Sequence, residues 1–152
     1  MPRQFLLLLL FAACGTASKA QKPFELGAEY IGMFGKGYST TKVGARGETF
    51  SNKNSFSAGI IYQLASGKAY SVSSGFGIYA GYRYAFNKDI TASSLFAGAR
   101  VLFSFEDFQG KNRESSILIT PMGEFGYHLL LGKRLFAAPA AGFGYTIEFA
   151  RG

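Results

Sequence analysis

The sequence predicts an all-β fold, an antiparallel up-and-down β-barrel, on three observations. In residues 75–105, apolar residues alternate with small or polar ones in two arms joined by Asn87-Lys88-Asp89. Alternation with a period of two is typical of β-strands. Each arm is about a dozen residues long, more than most soluble strands and enough for the roughly 9–11 residues of a strand that crosses a bilayer. The charges within these arms, Arg83 and Arg100, fall on the face of small residues, so the pattern indicates a transmembrane barrel.

Residues 1–20 are predicted to be a secretory signal peptide. A basic start is followed by an apolar run over residues 5–13 and by small residues, with Ser18 and Ala20 placing cleavage before Gln21. The apolar run is too short to span a bilayer as a helix, although a membrane-anchoring helix stays open as an alternative. Cys14, the single cysteine, follows a sequence that faintly resembles a lipoprotein processing site, so lipidation also stays open. If Gln21 is the mature start, no cysteine remains for a disulfide, thiol catalysis or metal binding.

Residues 21–152 are predicted to form one domain. The formal charge of the whole chain is +7, and removal of Arg3 and Lys19 lowers it to +5. The basic residues form neither a run nor a helical face, which argues against nucleic acid as a partner. The 20 glycines, 16 phenylalanines and 9 tyrosines favour β-structure rich in aromatic side chains, and no segment has helical periodicity.

Seven strands are predicted within this domain, at residues 24–34, 39–50, 55–64, 75–86, 90–105, 116–131 and 135–149. The strand at 39–50 has the weakest alternation, and the alternative interpretation makes residues 35–54 one long polar loop. Pro121 falls on the outward set of its strand and is expected to bend that strand or mark a bulge.

The two faces of these strands differ sharply in charge. Aromatic and aliphatic residues share the face that is expected to meet lipid, whereas the charged residues within strands share the other. Because unpaired charges inside a barrel would be costly, a network of ion pairs is expected there. Its members are Glu25, Glu29, Lys42, Arg46, Glu48, Arg83, Arg100, Glu124 and Glu148.

The connections between strands predict an orientation. Residues 51–54, 87–89 and 132–134 are short and basic, as expected of periplasmic turns. The connections at 35–38, 65–74 and 106–115 would then lie on the extracellular side of the membrane. The loops at 65–74 and 106–115 are candidate contacts for an extracellular partner.

Residues 24–149 resemble the small outer-membrane β-barrels of the OmpA/OmpX type. The resemblance rests on the Ala20-Gln21 signal end, the glycine- and tyrosine-rich strands at 77–84 and 142–145, and the short basic turns. It implies a Gram-negative outer-membrane location, contact with outer-membrane lipid and insertion by the barrel-assembly machinery. That family has eight strands and ends on an aromatic residue. With seven strands counted here, either a last loop and strand are missing or the count is wrong around residues 35–54.

The sequence favours a structural or surface-interaction role over a wide pore. The interior of an eight-stranded barrel is just wide enough for side chains to fill it. No catalytic, cofactor-binding or metal-binding residues are predicted, and no cofactor. One alternative is a lipid-modifying enzyme that uses His128, the only histidine, but Glu124 lies roughly 13 Å away along the same strand face. The other alternative is a soluble lipocalin-like periplasmic carrier of an apolar ligand.

Overall fold

A computed structural model describes residues 5–11, 15–16, 24–35, 38–66, 72–87, 93–108, 115–131 and 135–151. The part of the chain so described is all strand, turn or irregular backbone, without a helix. The strands are β1 (Phe5–Phe11), β2 (Gly15–Thr16), β3 (Phe24–Gly35), β4 (Tyr38–Ser51), β5 (Asn54–Ser66), β6 (Val72–Ala85), β7 (Ser94–Phe108), β8 (Ser115–Leu130), β9 (Leu135–Ala137), β10 (Ala140–Tyr145) and β11 (Ile147–Arg151).

Seven long strands form a curled, half-barrel sheet in which each of them pairs antiparallel with its neighbour in the chain. The seventh consists of β9, β10 and β11, which pair with β8 in one continuous register. The predicted all-β antiparallel fold with seven strands is therefore confirmed. The end of the sheet that carries the connections at 51–54 and 86–94 is called the turn end below, and the opposite end the loop end.

The least certain strand of the prediction is present. Strand β4 pairs with β3 from Phe24 opposite Thr49 to Gly35 opposite Tyr38, so the single-loop interpretation of residues 35–54 is wrong. The connection to β5 is a tight turn at Asn52-Lys53, and Asn52 has a φ of 54°. Asparagine tolerates this left-handed conformation better than most residues because its side chain can hydrogen-bond locally.

Two of the predicted loops are shorter than expected. Strand β5 continues to Ser66 and β6 begins at Val72, and β7 extends past the predicted end at residue 105 to Phe108. Glu106 is consequently a strand residue rather than a loop residue. The prediction ended β7 at the first acidic residues, but the alternation continues through them, with Glu106 buried and Asp107 exposed.

The bend expected at Pro121 is not found in its own strand. Strand β8 is continuous, and Pro121 lies opposite Val101 in an unbroken register. The irregularity lies in the neighbouring strand, where pairing stops after Gly144 and resumes at Ile147. Proline lacks an amide hydrogen, so Pro121 cannot donate a backbone hydrogen bond to a neighbouring strand. The hydroxyls of Thr120 and Thr146 lie 2.9 Å apart at the gap and link the two strands there.

The two edge strands of the seven, β3 and β10, do not pair with each other. Strand β1 lies between them and is antiparallel to both. It matches Leu6–Phe11 to residues 30–35 of β3, and Phe5–Leu10 to Ala140–Tyr145 of β10. A seven-stranded barrel that lacks a strand would be expected to leave its first and last strands as free edges or to pinch them together. Neither occurs over these residues, because the apolar N-terminal segment lies between the two strands.

The faces of the curled sheet separate side chains by polarity. The inner face buries Ile31, Met33, Ile61, Tyr79, Phe96, Leu102 and Met122 together with most of the strand charges. The outer face carries exposed large apolar side chains on every long strand except β4. The centre of the molecule is thus a mixed aromatic and ionic core.

Candidate functional site: the interior charge network

Three arginines and three glutamates form a closed ring of ion pairs in the middle of the interior. Arg100 contacts Glu29 at 2.8 Å and Glu124 at 3.2 Å, and Arg83 contacts Glu124 at 2.6 Å and Glu48 at 3.2 Å. Arg46 completes the ring, 3.0 Å from Glu48 and 3.8 Å from Glu29. Each charge therefore faces two opposite charges, and the ring is neutral in sum. The ring links β3, β4, β6, β7 and β8, and three of its ion pairs join strands that are not neighbours in the sheet: Arg83–Glu48, Arg83–Glu124 and Arg100–Glu29.

The ring carboxylates receive further hydrogen bonds from neutral side chains. The Tyr79 hydroxyl donates to Glu29 Oε2, and Ser55 Oγ donates to Glu48 Oε1 at 2.5 Å. A buried carboxylate is tolerated when its lone pairs are occupied in this way. Both Tyr79 and Ser55 lie on inner faces of their strands, as the alternation places them.

Aromatic rings cover the guanidinium groups. Arg100 Cζ lies 4.4 Å from the ring centroid of Tyr79, and Arg83 Cζ lies 4.3 Å from that of Phe96. Arginine stacks well on aromatic faces because its guanidinium is planar and weakly hydrated. The arginines are therefore held by ion pairs at their edges and by aromatic faces on their flat sides.

A glycine makes room for one of these aromatic side chains. A Cβ atom at Gly59 would lie 2.4 Å from the Tyr79 ring and 2.6 Å from the backbone oxygen of Ala45. Real side chains do not approach so closely, so this position of β5 requires glycine. The absence of a side chain at Gly59 lets Tyr79 reach Glu29 across the interior.

A second, smaller cluster lies nearer the loop end. Lys42 forms an ion pair with Glu106, and its Nζ also lies 3.1 Å from Ser104 Oγ. All three residues are buried. Sequence reasoning placed Lys42 in the interior but missed Glu106, which it assigned to a loop. The signal that could have found it is the unbroken alternation of β7 through Ser104 and Glu106.

A third cluster lies nearer the turn end. His128 Nε2 is 3.1 Å from Glu25 Oε2, and the rings of Phe50 and Phe136 flank the imidazole at centroid distances of 6.0 and 5.5 Å. Sequence reasoning placed both His128 and Glu25 on the inner face but did not pair them. The two residues are 103 positions apart in the chain. They come together because β3 and β8 face each other across the interior of the curled sheet.

Glu148 differs from the other predicted members of the network. Its Oε1 accepts a hydrogen bond of 2.8 Å from the buried Ser116 Oγ, so it lies on the inner side of the sheet. Its side chain is nevertheless exposed. The reason is its place on β11, which among the described residues pairs with β8 on one side only.

A cavity of about 280 Å³ lies near the loop end, between Tyr62, Phe76, Phe105 and Ile117, with Glu106 and Asp107 at its polar side. No group of three or more histidine, cysteine, aspartate or glutamate side chains suited to a metal ion occurs in the described part of the chain. The described residues likewise contain no helix that is long and apolar enough to cross a membrane. The arrangement as a whole ties opposite walls of the sheet together.

Comparison with known proteins adds no assignment. No family model, no curated protein and no solved structure matches the chain.

Proposed function

We propose that the chain is an outer-membrane β-barrel protein with a side-chain-filled interior, and that its role is structural or surface-interacting rather than that of a wide pore. One observation carries the proposal. On six of the seven long strands, all but β4, large apolar side chains are exposed on the outer face, whereas most charges within the strands are buried on the inner face. Such sorting is expected when the outside is hydrocarbon and the inside is polar.

The outer face supports contact with lipid. Among the described residues, 25 large apolar side chains are exposed, and the exposed fraction of Phe143 reaches 74%. They occur on six of the seven long strands, β4 being the exception. Exposed apolar patches on soluble monomers rarely exceed a few hundred Å², so apolar side chains exposed over six strands favour a membrane surface over water.

The filled interior favours a barrel without a wide pore. The ring of Glu29, Arg46, Glu48, Arg83, Arg100 and Glu124 fills the middle of the interior and is buried. Salt-bridged side chains at this position would block bulky solutes. The same filling argues against the soluble carrier, whose ligand would need an apolar interior.

Cell fractionation and gel migration test the location. The full chain expressed in a Gram-negative host should sediment with the outer membrane and should migrate faster on detergent gels before heating than after. As a matched control, replacement of outward Ile60, Ile78 and Phe103 by glutamine should shift the protein away from the membrane fraction. Recovery of the unmodified chain as a soluble periplasmic monomer would contradict the proposal and favour the carrier.

Single-channel recording tests the interior. The folded protein in a planar bilayer should show no steady conductance of porin size. The variant R100A/E124A, which removes two ring side chains from the adjacent strands β7 and β8, should conduct more ions than the unmodified protein. A large conductance in the unmodified protein would contradict the filled interior while leaving the membrane location intact.

A further inference from the structure

The cavity near the loop end, called the groove below, lies between two rows of outward residues on neighbouring strands. The members of the apolar row lie opposite one another in the ladders of β5 to β8: Tyr62, Phe76, Phe105 and Ile117. The polar row, on β6 to β8, is one step nearer the loop end and consists of Ser74, Asp107 and Ser115. The groove therefore lies at the level where the outward residues of β6, β7 and β8 change from apolar to polar.

The carboxylate of Asp107 is held in a defined orientation at the polar side of the groove. Ser74 Oγ donates a hydrogen bond of 3.0 Å to Asp107 Oδ2, and Ser115 Oγ donates one of 2.7 Å to Asp107 Oδ1. The two serines lie on the strands on either side of β7, so each carboxylate oxygen is held from a different side. An ionised carboxylate has about four lone-pair sites, so it can accept a further donor while it binds two hydroxyls.

Asp107 gives the groove its negative charge. The other carboxylate of the lining, Glu106, is buried and forms an ion pair with Lys42, so its charge is compensated inside the sheet. The described residues that line the groove include no lysine or arginine. A cationic group is therefore the electrostatic complement of the groove.

The aromatic side chains of the groove are spread apart rather than packed together. Near the turn end, the outward rings of Phe56 and Tyr82 contact each other with a centroid distance of 5.3 Å. Within the described part of the chain, the rings of Tyr62, Phe76 and Phe105 make no such contact with one another, although the residues are opposite in the ladders. The space of about 280 Å³ is at the lower limit of ligand pockets, which start at roughly 300 Å³. It suits a small head group with its adjoining methylene groups.

The apolar side of the groove continues into the outer face of the sheet. The next outward row toward the turn end consists of Ile60, Ile78, Phe103 and Ile119. The first three of these side chains are exposed. An occupant whose cationic head contacts Asp107 would therefore find apolar contacts for a chain that extends toward the turn end.

We propose that the groove binds a lipid with a primary ammonium head group. The ammonium donates hydrogen bonds to the Asp107 carboxylate, the adjoining methylene groups pack between Tyr62, Phe76 and Phe105, and an acyl chain lies along the outer face. The inference rests on the proposed membrane location and adds a specific lipid contact to it. A lysine side chain of a soluble partner would offer the same ammonium without a long apolar chain, and the experiment below separates the two occupants.

Native mass spectrometry of the full chain, folded in nonionic detergent micelles, measures the lipid preference. The micelles contain equal amounts of dimyristoyl phosphatidylethanolamine and dimyristoyl phosphatidylcholine. These lipids have the same net charge and acyl chains, but only the ethanolamine ammonium can donate hydrogen bonds. The unmodified protein should retain phosphatidylethanolamine about fivefold more often, as expected for the upper range of an exposed ion pair.

Asp107→Asn should abolish this preference, because the amide carries no charge. Asp89→Asn is the matched control, since it removes the same charge from the connection between β6 and β7. It should leave the preference unchanged. Gel migration before and after heating shows whether each variant is folded.

Carbodiimide coupling provides a second readout that needs no variant and decides the question if D107N does not fold. The reagent activates a carboxyl group, which then forms an amide bond with an adjacent primary amine, and the carbodiimide takes up the oxygen and leaves as a urea. Peptide mass spectrometry should find phosphatidylethanolamine coupled to Asp107 in preference to Asp89.

Equal retention of the two lipids, an unchanged preference in D107N, or equal coupling at Asp89 and Asp107 would overturn the proposal. Butylamine, which matches the lysine side chain, should displace the lipid only in large excess. Displacement by equimolar butylamine would overturn the lipid as occupant and favour a soluble partner. Because all these measurements use protein folded in detergent, membrane fractionation tests the proposed location separately, and failure of either proposal is distinguishable from failure of the other.

Discussion

Arg100 and Glu29 form an ion pair across the interior: Arg100 Nη1 donates a hydrogen bond of 2.8 Å to Glu29 Oε1, although 71 residues separate the two in the chain. The pair joins β7 to β3, which are not neighbours in the sheet. Together with the other ion pairs of the ring, it opposes the flattening of the curled sheet. We expect the ring to act as a unit, since each of its members has two partners.

The first prediction concerns the loss of one ring cation. Arg100→Met leaves Glu29 and Glu124 each short of one partner in a buried setting. Breaking a buried ion pair in this way costs about 3–5 kcal/mol of unfolding free energy. Urea titration of the folded protein in detergent micelles or vesicles measures the loss.

Lys53→Met serves as the control. Lys53 lies in the Asn52-Lys53 turn with its Nζ 5.9 Å from the Tyr84 ring centroid, so its loss should change the unfolding free energy by no more than about 1 kcal/mol. The double variant E124Q/R100M should be less destabilised than the sum of the two single variants, because both charges leave together. Additive effects of E124Q and R100M would contradict the coupled ring.

The second prediction concerns the outer face. Arginine in place of Ala99 or Ala141, both exposed on the outer face, should cost about 2–4 kcal/mol if these positions meet hydrocarbon near its midplane. The measurement is a folding titration into lipid vesicles. Asn87→Arg, an exposed position beyond the end of β6, is the matched control and should be near neutral. Equal tolerance at all three positions would argue against lipid on this face.

The third prediction concerns the glycine that accommodates Tyr79. Gly59→Ala should destabilise the fold, because its Cβ would lie 2.4 Å from the Tyr79 ring and 2.6 Å from a backbone oxygen. Overpacking of this kind typically costs about 1–3 kcal/mol. Gly123→Ala is the control, since the nearest heavy atoms to its Cβ would be 4.0 Å away. Urea midpoints of the two variants should therefore differ clearly, and coincident midpoints would disprove the close approach.

The fourth prediction concerns the turn between β4 and β5. Asn52→Gly should be neutral or stabilising, because glycine adopts the φ of 54° without a Cβ clash. Asn52→Val should cost about 1–2 kcal/mol, since a β-branched side chain is strained in the left-handed region. Thermal unfolding monitored by circular dichroism in detergent would rank the three proteins. A valine variant as stable as the glycine variant would contradict the assigned turn conformation.

The sequence by itself determined the strands and their faces. Successive side chains of a strand point to opposite faces of the sheet, so alternating polarity assigns each side chain to one face. It therefore indicated the seven strands, including β4, and the inner position of Arg83, Arg100 and His128. The prediction from sequence ended β7 too early, because the acidic residues that follow residue 105 are typical of a loop. For this reason Glu106 was not predicted to be the partner of Lys42.

Only the tertiary structure decided which charges meet. Alternation predicts which face of the sheet carries a side chain, but it does not predict which side chains meet across the interior. The pairing of His128 with Glu25, and the order in which the three arginines and three glutamates contact one another, therefore depend on the curvature of the whole sheet. The same holds for Gly59, whose role follows from the Tyr79 ring on the neighbouring strand. The strand pairing also placed β1 between β3 and β10. Alternation along single strands could not predict this, because it carries no information about which strands are neighbours.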